Sequence, residues 1–156
     1  MNNIMGFPDE TRDLVFDSIE LNRKLGTDSV NAYIFTPYRG TNMYTDATSK
    51  GYLDPDAETN SIITGSILNM PTITKEELMG LVRTFSLYVK FDKEEWPDIA
   101  VAEKFADEGT AMFEELSKRY YERFFDLDFK QTKKACISTR AYDGPSGKQQ
   151  TETITS

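Results

Sequence analysis

Two short glycine-containing segments hold the residues of this chain whose types and spacing point to chemistry. Residues 6–11 read Gly-Phe-Pro-Asp-Glu-Thr, and residues 37–41 read Pro-Tyr-Arg-Gly-Thr. Glycine allows a ligand to approach the backbone closely, and Glu10 adds a carboxylate that could orient a bound molecule. Because α/β barrels keep their active sites in the loops that follow parallel strands, we interpret the two segments as neighbouring loops on one rim of such a sheet.

A strand, a helix and a second strand must position these loops. Residues 2–5 read as the end of a buried strand, and a helix is predicted from Pro8 to about Leu25, with Gly26 at its carboxyl-terminal cap. Residues 30–36 are rich in β-branched and aromatic side chains without clean alternation. That composition is typical of a parallel strand that is covered on both faces.

The remainder of the chain is predicted to be mainly helical. Residues 41–51 form one or two helical turns, and Thr74 with Glu77 forms a capping box that opens a strongly amphipathic helix. A further helical stretch is expected over residues 99–125, with a break at Gly109.

The predicted fold class is α/β: a partial (β/α) barrel fragment with parallel strands, followed by a helical carboxyl-terminal extension and a polar tail. Residues 1–73 supply the partial barrel, and residues 74–129 supply the helical extension. Residues 130–156 are polar and are predicted to be a flexible tail.

Composition excludes several classes of active site. The chain has 156 residues, no histidine and a single cysteine, Cys136. The lack of histidine rules out a Ser-His-Asp triad and any His-ligated metal site, and one thiol does not hold an iron–sulfur cluster by itself. A net charge of −8 repels phosphate backbones, so nucleic acid is not an expected partner. Because the sequence shows neither a signal peptide nor an apolar run of about 20 residues, we expect a cytoplasmic protein without a membrane partner.

Taken as a pair, the two loops resemble those of the radical S-adenosylmethionine (radical SAM) superfamily, most closely its cobalamin-binding branch. Those proteins carry a Gly-x-Pro-x-Glu-Thr loop after one late barrel strand and a Pro-Tyr-x-Gly-Thr loop after the next. The matching residues here are Gly6, Pro8, Glu10 and Thr11, then Pro37, Tyr38, Gly40 and Thr41. The resemblance covers roughly residues 1–55 well and residues 74–125 more loosely.

The resemblance implies that this chain is the carboxyl-terminal portion of such an enzyme. The parent barrel would reductively cleave S-adenosylmethionine, with cobalamin-dependent methyl transfer as one open alternative for the reaction. By position, Ile4, Gly6 and Glu10 would lie near the adenosyl group of the cofactor. Phe35 and Pro37 would belong to the adjacent wall.

The chain also departs from the family pattern. The motif Cys-x-x-x-Cys-x-x-Cys, whose three thiolates hold the [4Fe–4S] cluster, is absent, and Cys136 does not replace it. The implied partner is therefore the amino-terminal, cluster-bearing part of the barrel, from the same gene or from a separate chain. The chain would be a gene fragment, a split subunit or a mis-called start, and is expected to be inactive alone. Asp9 stands where the family commonly has glycine.

The same residues also have interpretations that involve no ligand. Glu10 could complement a helix dipole, and Gly6 and Gly40 could serve ordinary turns. Residues 54–60 alternate acidic and amide side chains like a calcium loop, but the turn glycine is missing, so metal binding is disfavoured. A non-catalytic interaction or regulatory module, or a decayed fragment, is the alternative to an enzyme portion.

Overall fold

The computed structural model describes residues 1–56 and 65–125. In chain order the elements are β1 (Asn2–Met5), α1 (Arg12–Leu25), β2 (Asn31–Ile34), α2 (Asn42–Ser49), α3 (Lys75–Lys90), a 3₁₀ turn (Lys93–Glu95), α4 (Trp96–Ala102) and α5 (Asp107–Phe124). The predicted flexible tail, Cys136 and part of the segment 54–60 lie outside the described residues.

β1 and β2 form a two-stranded parallel sheet, as the sequence predicted. The register begins with Asn2 opposite Asn31 and continues to Met5 opposite Ile34. A further backbone bond from Phe35 N to Met5 O, 2.7 Å long, continues the pairing past the strand end. A mixed α/β chain, mostly helical with a short parallel sheet, is therefore confirmed, whereas closure into a barrel stays a prediction.

α1 begins at Arg12 and not at Pro8, so the predicted start of this helix is wrong. Thr11 caps the helix in an extended conformation, and its side chain accepts a hydrogen bond from the helix backbone. Asp9 adopts a left-handed φ of 67°. A right-handed helix does not pass through that conformation, so the residues after Pro8 form a turn outside the helix. The predicted cap at Gly26 is confirmed, with φ of 62°.

α3 is the centre of the hydrophobic core. Thr74 and Glu77 form the predicted capping box at its amino end. The helix contacts α1, β2, α4 and α5. Its buried apolar and aromatic side chains are Leu78, Leu81, Phe85, Leu87, Tyr88 and Val89. Gly80 lets α4 approach closely, because a Cβ there would lie 2.6 Å from the backbone oxygen of Glu103.

Two arginines fasten α1 to this helical layer. Arg12 donates two hydrogen bonds, of 2.7 and 2.8 Å, to the carboxylate of Glu103, which also accepts one from the Tyr88 hydroxyl. Arg23 donates from Nη1 to the backbone oxygens of Tyr88 and Phe91 at the carboxyl end of α3. Burial, together with the bond to Glu103, raises the pKa of Tyr88 well above its usual value.

The carboxyl-terminal helical stretch breaks at a different place from the one predicted. The chain leaves α4 after Ala102 and resumes in α5 at Asp107, with Ala106 extended before it. Gly109 lies inside α5, where a Cβ would come within 2.1 Å of the backbone oxygen of Lys104. This glycine therefore serves close packing and not a break.

Among the helices of the described segments, none has the length and apolar character needed to span a membrane.

Candidate functional site

The two faces of the sheet have opposite surroundings. Met5 and Ile34, which are paired in register, belong to the hydrophobic core and are 1% and 5% exposed. Ile4 and Tyr33 are also paired in register, yet they are 54% and 44% exposed. Successive side chains of a strand point to opposite faces, so one face packs against the helices, and the described residues leave the other largely uncovered. We call this second surface the open face.

The open face is a short ladder of cross-strand pairs. At its base the side-chain amide of Asn31 donates to Oδ1 of Asn2 at 3.2 Å. Above it, Ile4 lies opposite Tyr33. By alternation Phe35 continues this face, and its ring stacks on Phe7 with 4.5 Å between centroids. The ladder therefore becomes increasingly apolar and aromatic toward the carboxyl ends of the strands.

Both predicted loops follow the carboxyl ends of the parallel strands and lie at the same end of the sheet. The first loop, residues 6–11, follows β1, and the second, residues 37–41, follows β2. The Phe7–Phe35 stack and the bond from Phe35 N to Met5 O join their starting points. The structure thus brings the two glycine-containing segments together as neighbouring loops.

Glu10 closes the first loop on itself. Its carboxylate accepts hydrogen bonds from the backbone N–H groups of Gly6 and Phe7. Its own backbone oxygen accepts a bond of 2.7 Å from the hydroxyl of Thr72. Gly6 is buried with φ of 90°, and a Cβ there would lie 2.6 Å from Cδ2 of Leu78. Gly6 and Glu10 therefore shape the loop against the core, and the Glu10 carboxylate is engaged by loop amides.

Asp9 ties the first loop to the residues that follow α2. Its carboxylate accepts hydrogen bonds from Nζ of Lys50 at 2.5 Å and from the Tyr52 hydroxyl at 2.7 Å. Lys50 also bonds to the carboxylate of Asp46 at 2.9 Å. Lys50 first, and then the Tyr52 hydroxyl, hold the pKa of Asp9 below its usual value. The carboxylates of Asp9 and Asp46 raise the pKa of Lys50, so this lysine remains charged throughout the physiological range.

The second loop combines a buried start with an exposed tip. Pro37 is buried, whereas Tyr38 is 63% exposed. The guanidinium of Arg39 donates to the backbone oxygen of Pro55 at 2.8 Å. Thr41 caps α2, and Gly40 has φ of 87°, where an added Cβ would meet no atom within 4 Å. Glycine is therefore favoured at position 40 by the left-handed backbone conformation, and neighbouring atoms would leave room for a side chain.

The predicted site residues separate into two groups. Ile4 and Phe35 contribute to the open face, beside Tyr33. The other three lie in the loops: Gly6 and Pro37 are buried, and the Glu10 carboxylate accepts a hydrogen bond from the backbone of its own loop. Sequence reasoning missed Phe7 and the Asn2–Asn31 pair. The strand sequences could have indicated the asparagine pair. When Asn-Asn-Ile-Met is aligned in parallel with Asn-Ala-Tyr-Ile, Asn2 falls opposite Asn31 and Ile4 falls opposite Tyr33.

The described residues offer no cluster of three or more His, Cys, Asp or Glu side chains that could hold a metal ion. At the start of the segment that resembles a calcium loop, Oδ1 of Asp54 accepts a hydrogen bond from the backbone N–H of Asp56 at 2.9 Å, which is a local turn. A [4Fe–4S] cluster with one open iron needs three thiolates, and this chain has one cysteine. The chain therefore does not fit the role of cluster ligand. An apolar and aromatic ladder does fit one wall of a pocket for a flat, uncharged group.

A separate groove of about 580 Å³ lies beside the first loop, and none of its lining residues belongs to the open face. Its walls are residues 50–52, residues 69–71 and the start of α3 at Thr74 and Lys75. The Lys50 ammonium and the Tyr52 hydroxyl both donate to Asp9. The polar groups on this side of the groove are therefore already bonded to the first loop.

Comparisons of this chain with protein-family models, with curated proteins and with solved structures found no match.

Proposed function

We propose that this chain supplies part of the cofactor-pocket wall of a radical SAM enzyme, a barrel that reductively cleaves S-adenosylmethionine. The observation that carries the proposal is the parallel pairing of β1 and β2, with both glycine-containing loops at one end and an open face beside them. In α/β barrels the loops at that end form the active site, and the helix-free face of each strand points into the barrel. Cobalamin-dependent methyl transfer is the reaction class that the resemblance suggests, and a cytoplasmic location accompanies it.

The backbone of Asp9 supports the resemblance from an independent direction. The family commonly has glycine at this position, and Asp9 is the non-glycine residue with a positive φ, 67°, in the described part of the chain. Aspartate is among the few residues that enter the left-handed region at modest cost. The substitution is therefore compatible with the loop shape that a glycine would give.

We assign different roles to the five predicted residues. Ile4 and Phe35 would contact an adenosyl group, because both contribute to the open face. Gly6 and Glu10 hold the first loop in shape, and the buried Pro37 anchors the second. The cluster and its three cysteines would come from the amino-terminal part of the barrel, which is the proposed partner.

A non-catalytic interaction module is the second candidate, and one observation favours it. Three leucines of α1, namely Leu14, Leu21 and Leu25, are each about half exposed. Exposed apolar stripes of this kind commonly mark protein-binding surfaces. This surface lies on α1 and is distinct from the open face, so the two proposals are tested with different variants.

The test of the enzyme proposal begins with the DNA that encodes the chain. We expect an in-frame or neighbouring reading frame that encodes further barrel strands and Cys-x-x-x-Cys-x-x-Cys. The two parts, produced together and loaded with iron and sulfide, should release 5′-deoxyadenosine when given S-adenosylmethionine and dithionite.

Ile4→Asp is the informative variant, because it places a charge on the open face while leaving the core untouched. It should lower the rate of 5′-deoxyadenosine release by about tenfold or more. Glu94→Gln, at an exposed position in the 3₁₀ turn, should leave the rate unchanged. If no such reading frame exists, or if the loaded complex releases no 5′-deoxyadenosine, the proposal is wrong.

A further inference from the structure

We propose that the outer stripe of α1, together with the free edge of β1, forms a two-fold interface with a second copy of this chain. The outer stripe consists of Leu14, Ser18, Leu21 and Leu25. The inference rests on the second candidate function, the interaction module, because in a complete barrel the same edge of β1 would pair with the preceding strand.

The outer stripe is mostly apolar, and its leucines are about half exposed among the described residues. Leu14, Leu21 and Leu25 are 50%, 56% and 52% exposed, respectively. At about 3.6 residues per turn, positions 14, 18, 21 and 25 fall on one flank of the helix. The buried face of α1, formed by Val15 and Ile19, is a different one. α1 therefore carries two apolar faces, of which the core uses one.

The outer stripe lies on the flank of α1 that is remote from α3. Phe16 packs edge-on against Tyr88 of α3, and Arg23 bonds to the end of that helix. The stripe is about half a turn away from these two residues. Asn22 donates a bond of 2.8 Å to the side chain of Asn3, which places α1 above β1. The stripe therefore borders the side of β1 that β2 does not occupy.

The edge of β1 on that side offers backbone groups for pairing. The carbonyl of Met5 accepts from Phe35 N, so Met5 directs its backbone groups toward β2. Because backbone groups alternate in direction along a strand, those of Asn2 and Ile4 point away from β2. Within residues 1–56 and 65–125, β2 is the strand that pairs with β1. An unpaired strand edge is a template for another strand. A two-fold axis through this edge would pair β1 with a second β1 in antiparallel orientation.

The stripe is complementary to its own reversed copy. In an antiparallel α1 pair, Leu14 lies opposite Leu25 of the second copy, and Ser18 lies opposite Leu21 of the second copy. Serine is small and leaves room for the facing leucine. Its hydroxyl already donates to the backbone oxygen of Leu14 at 3.2 Å, so the contact would bury no unsatisfied hydroxyl.

Charges beside the stripe favour the same arrangement. Asp17 and Lys24 are exposed and flank the stripe on its solvent side. Reversal of the helix brings Asp17 of one copy toward Lys24 of the other, and the two-fold axis repeats the pair. Opposite charges at both ends of the contact suppress other registers.

Sedimentation equilibrium of the full chain tests this interface. Between about 5 and 200 µM we expect a species of twice the chain mass of 17.8 kDa. Leu21→Asp should abolish the dimer while leaving the circular dichroism spectrum unchanged. Tyr38→Asp, at a position 63% exposed on the second loop, should leave the dimer intact.

Charge reversal tests the antiparallel register. Asp17→Lys and Lys24→Asp should each raise the dimer Kd by about fivefold, because each places like charges together twice. The double variant should restore the original Kd. A monomeric wild type over this range, or a dimer that persists in Leu21→Asp, would overturn the interface. A double variant no tighter than either single one would overturn the register.

Discussion

The two faces of one short sheet differ sharply in how far the described residues cover them. On one face Met5 and Ile34 are in the core, under helices that α1 arginines hold in place. On the other face Ile4 and Tyr33 belong to the same two strands and are about half exposed. The sequence of the strands predicts cover on both faces. The described residues provide cover on one, which is why we interpret the open face as a surface that another part of a barrel covers.

The strongest test of the difference between the two faces is to shorten one isoleucine on each face to alanine. Ile34→Ala, at a position 5% exposed, should lower the free energy of unfolding by about 2–5 kcal/mol, because it leaves a cavity in the core. Ile4→Ala, at a position 54% exposed, should lower it by about 1 kcal/mol or less. Urea denaturation measures both. Equal losses would show that the open face is covered in solution.

The two loop glycines, Gly6 and Gly40, provide a second comparison, between a crowded and an open position. Gly6→Ala should cost about 3 kcal/mol, because the new Cβ is strained at positive φ and collides with Leu78. Gly40→Ala should cost about 1 kcal/mol, since its Cβ meets open space and only the backbone strain remains. Thermal melts of both variants provide the measurement. A Gly6→Ala variant as stable as Gly40→Ala would contradict the packing of the first loop against α3.

Alkaline titration probes the covered side through Tyr88. Burial and the bond to Glu103 raise the pKa of Tyr88 above the ordinary value of 10.0. Above that value the unfolded chain loses the tyrosine proton while the folded chain keeps it, so stability falls as pH rises. The slope from this group reaches about 1.4 kcal/mol per pH unit. Tyr88→Phe should flatten the dependence of urea midpoints on pH above 10, and an unchanged slope would show that Tyr88 is accessible.

The smallest effect is expected at Asp9, which lies in the first loop and has a side chain about half exposed. Asp9→Gly should change the melting temperature little, because relief of a left-handed φ offsets the loss of the bonds to Lys50 and Tyr52. Asp9→Val should lower the melting temperature, because a β-branched residue is poorly tolerated at φ of 67°. A valine variant as stable as the glycine variant would argue against this loop conformation.

Local signals predicted much of the fold. The capping box at Thr74 and Glu77 and the glycine cap at Gly26 lie where the sequence placed them, because both depend on residues a few positions apart. The parallel pairing followed from a strand–helix–strand order that permits few alternatives. The start of α1 was the main local failure. Asp9 has a left-handed φ, and its carboxylate is bonded to Lys50 and Tyr52, which lie more than forty positions away in the chain.

The candidate site was less predictable than the fold. For Glu10 the sequence left two roles open, orienting a ligand or complementing a helix dipole. Its carboxylate binds the amides of its own loop, which no spacing rule reveals. Gly109 was interpreted as a break, and it is a contact point for the Lys104 carbonyl. The exposed fraction of Ile4 and Tyr33 depends on which elements cover the sheet, and that information is not local to either strand.

Photoaffinity labelling of the assembled, cluster-loaded complex with an azido-adenosyl analogue of S-adenosylmethionine tests the central claim most directly. The open face is proposed to be a wall of the cofactor pocket, so label should appear within residues 31–37, which contain Tyr33 and Phe35. Excess unlabelled S-adenosylmethionine should prevent this labelling, and residues 75–90 of α3 should carry no label. Label confined to the helices, or a complex that forms 5′-deoxyadenosine without labelling either strand, would contradict the account.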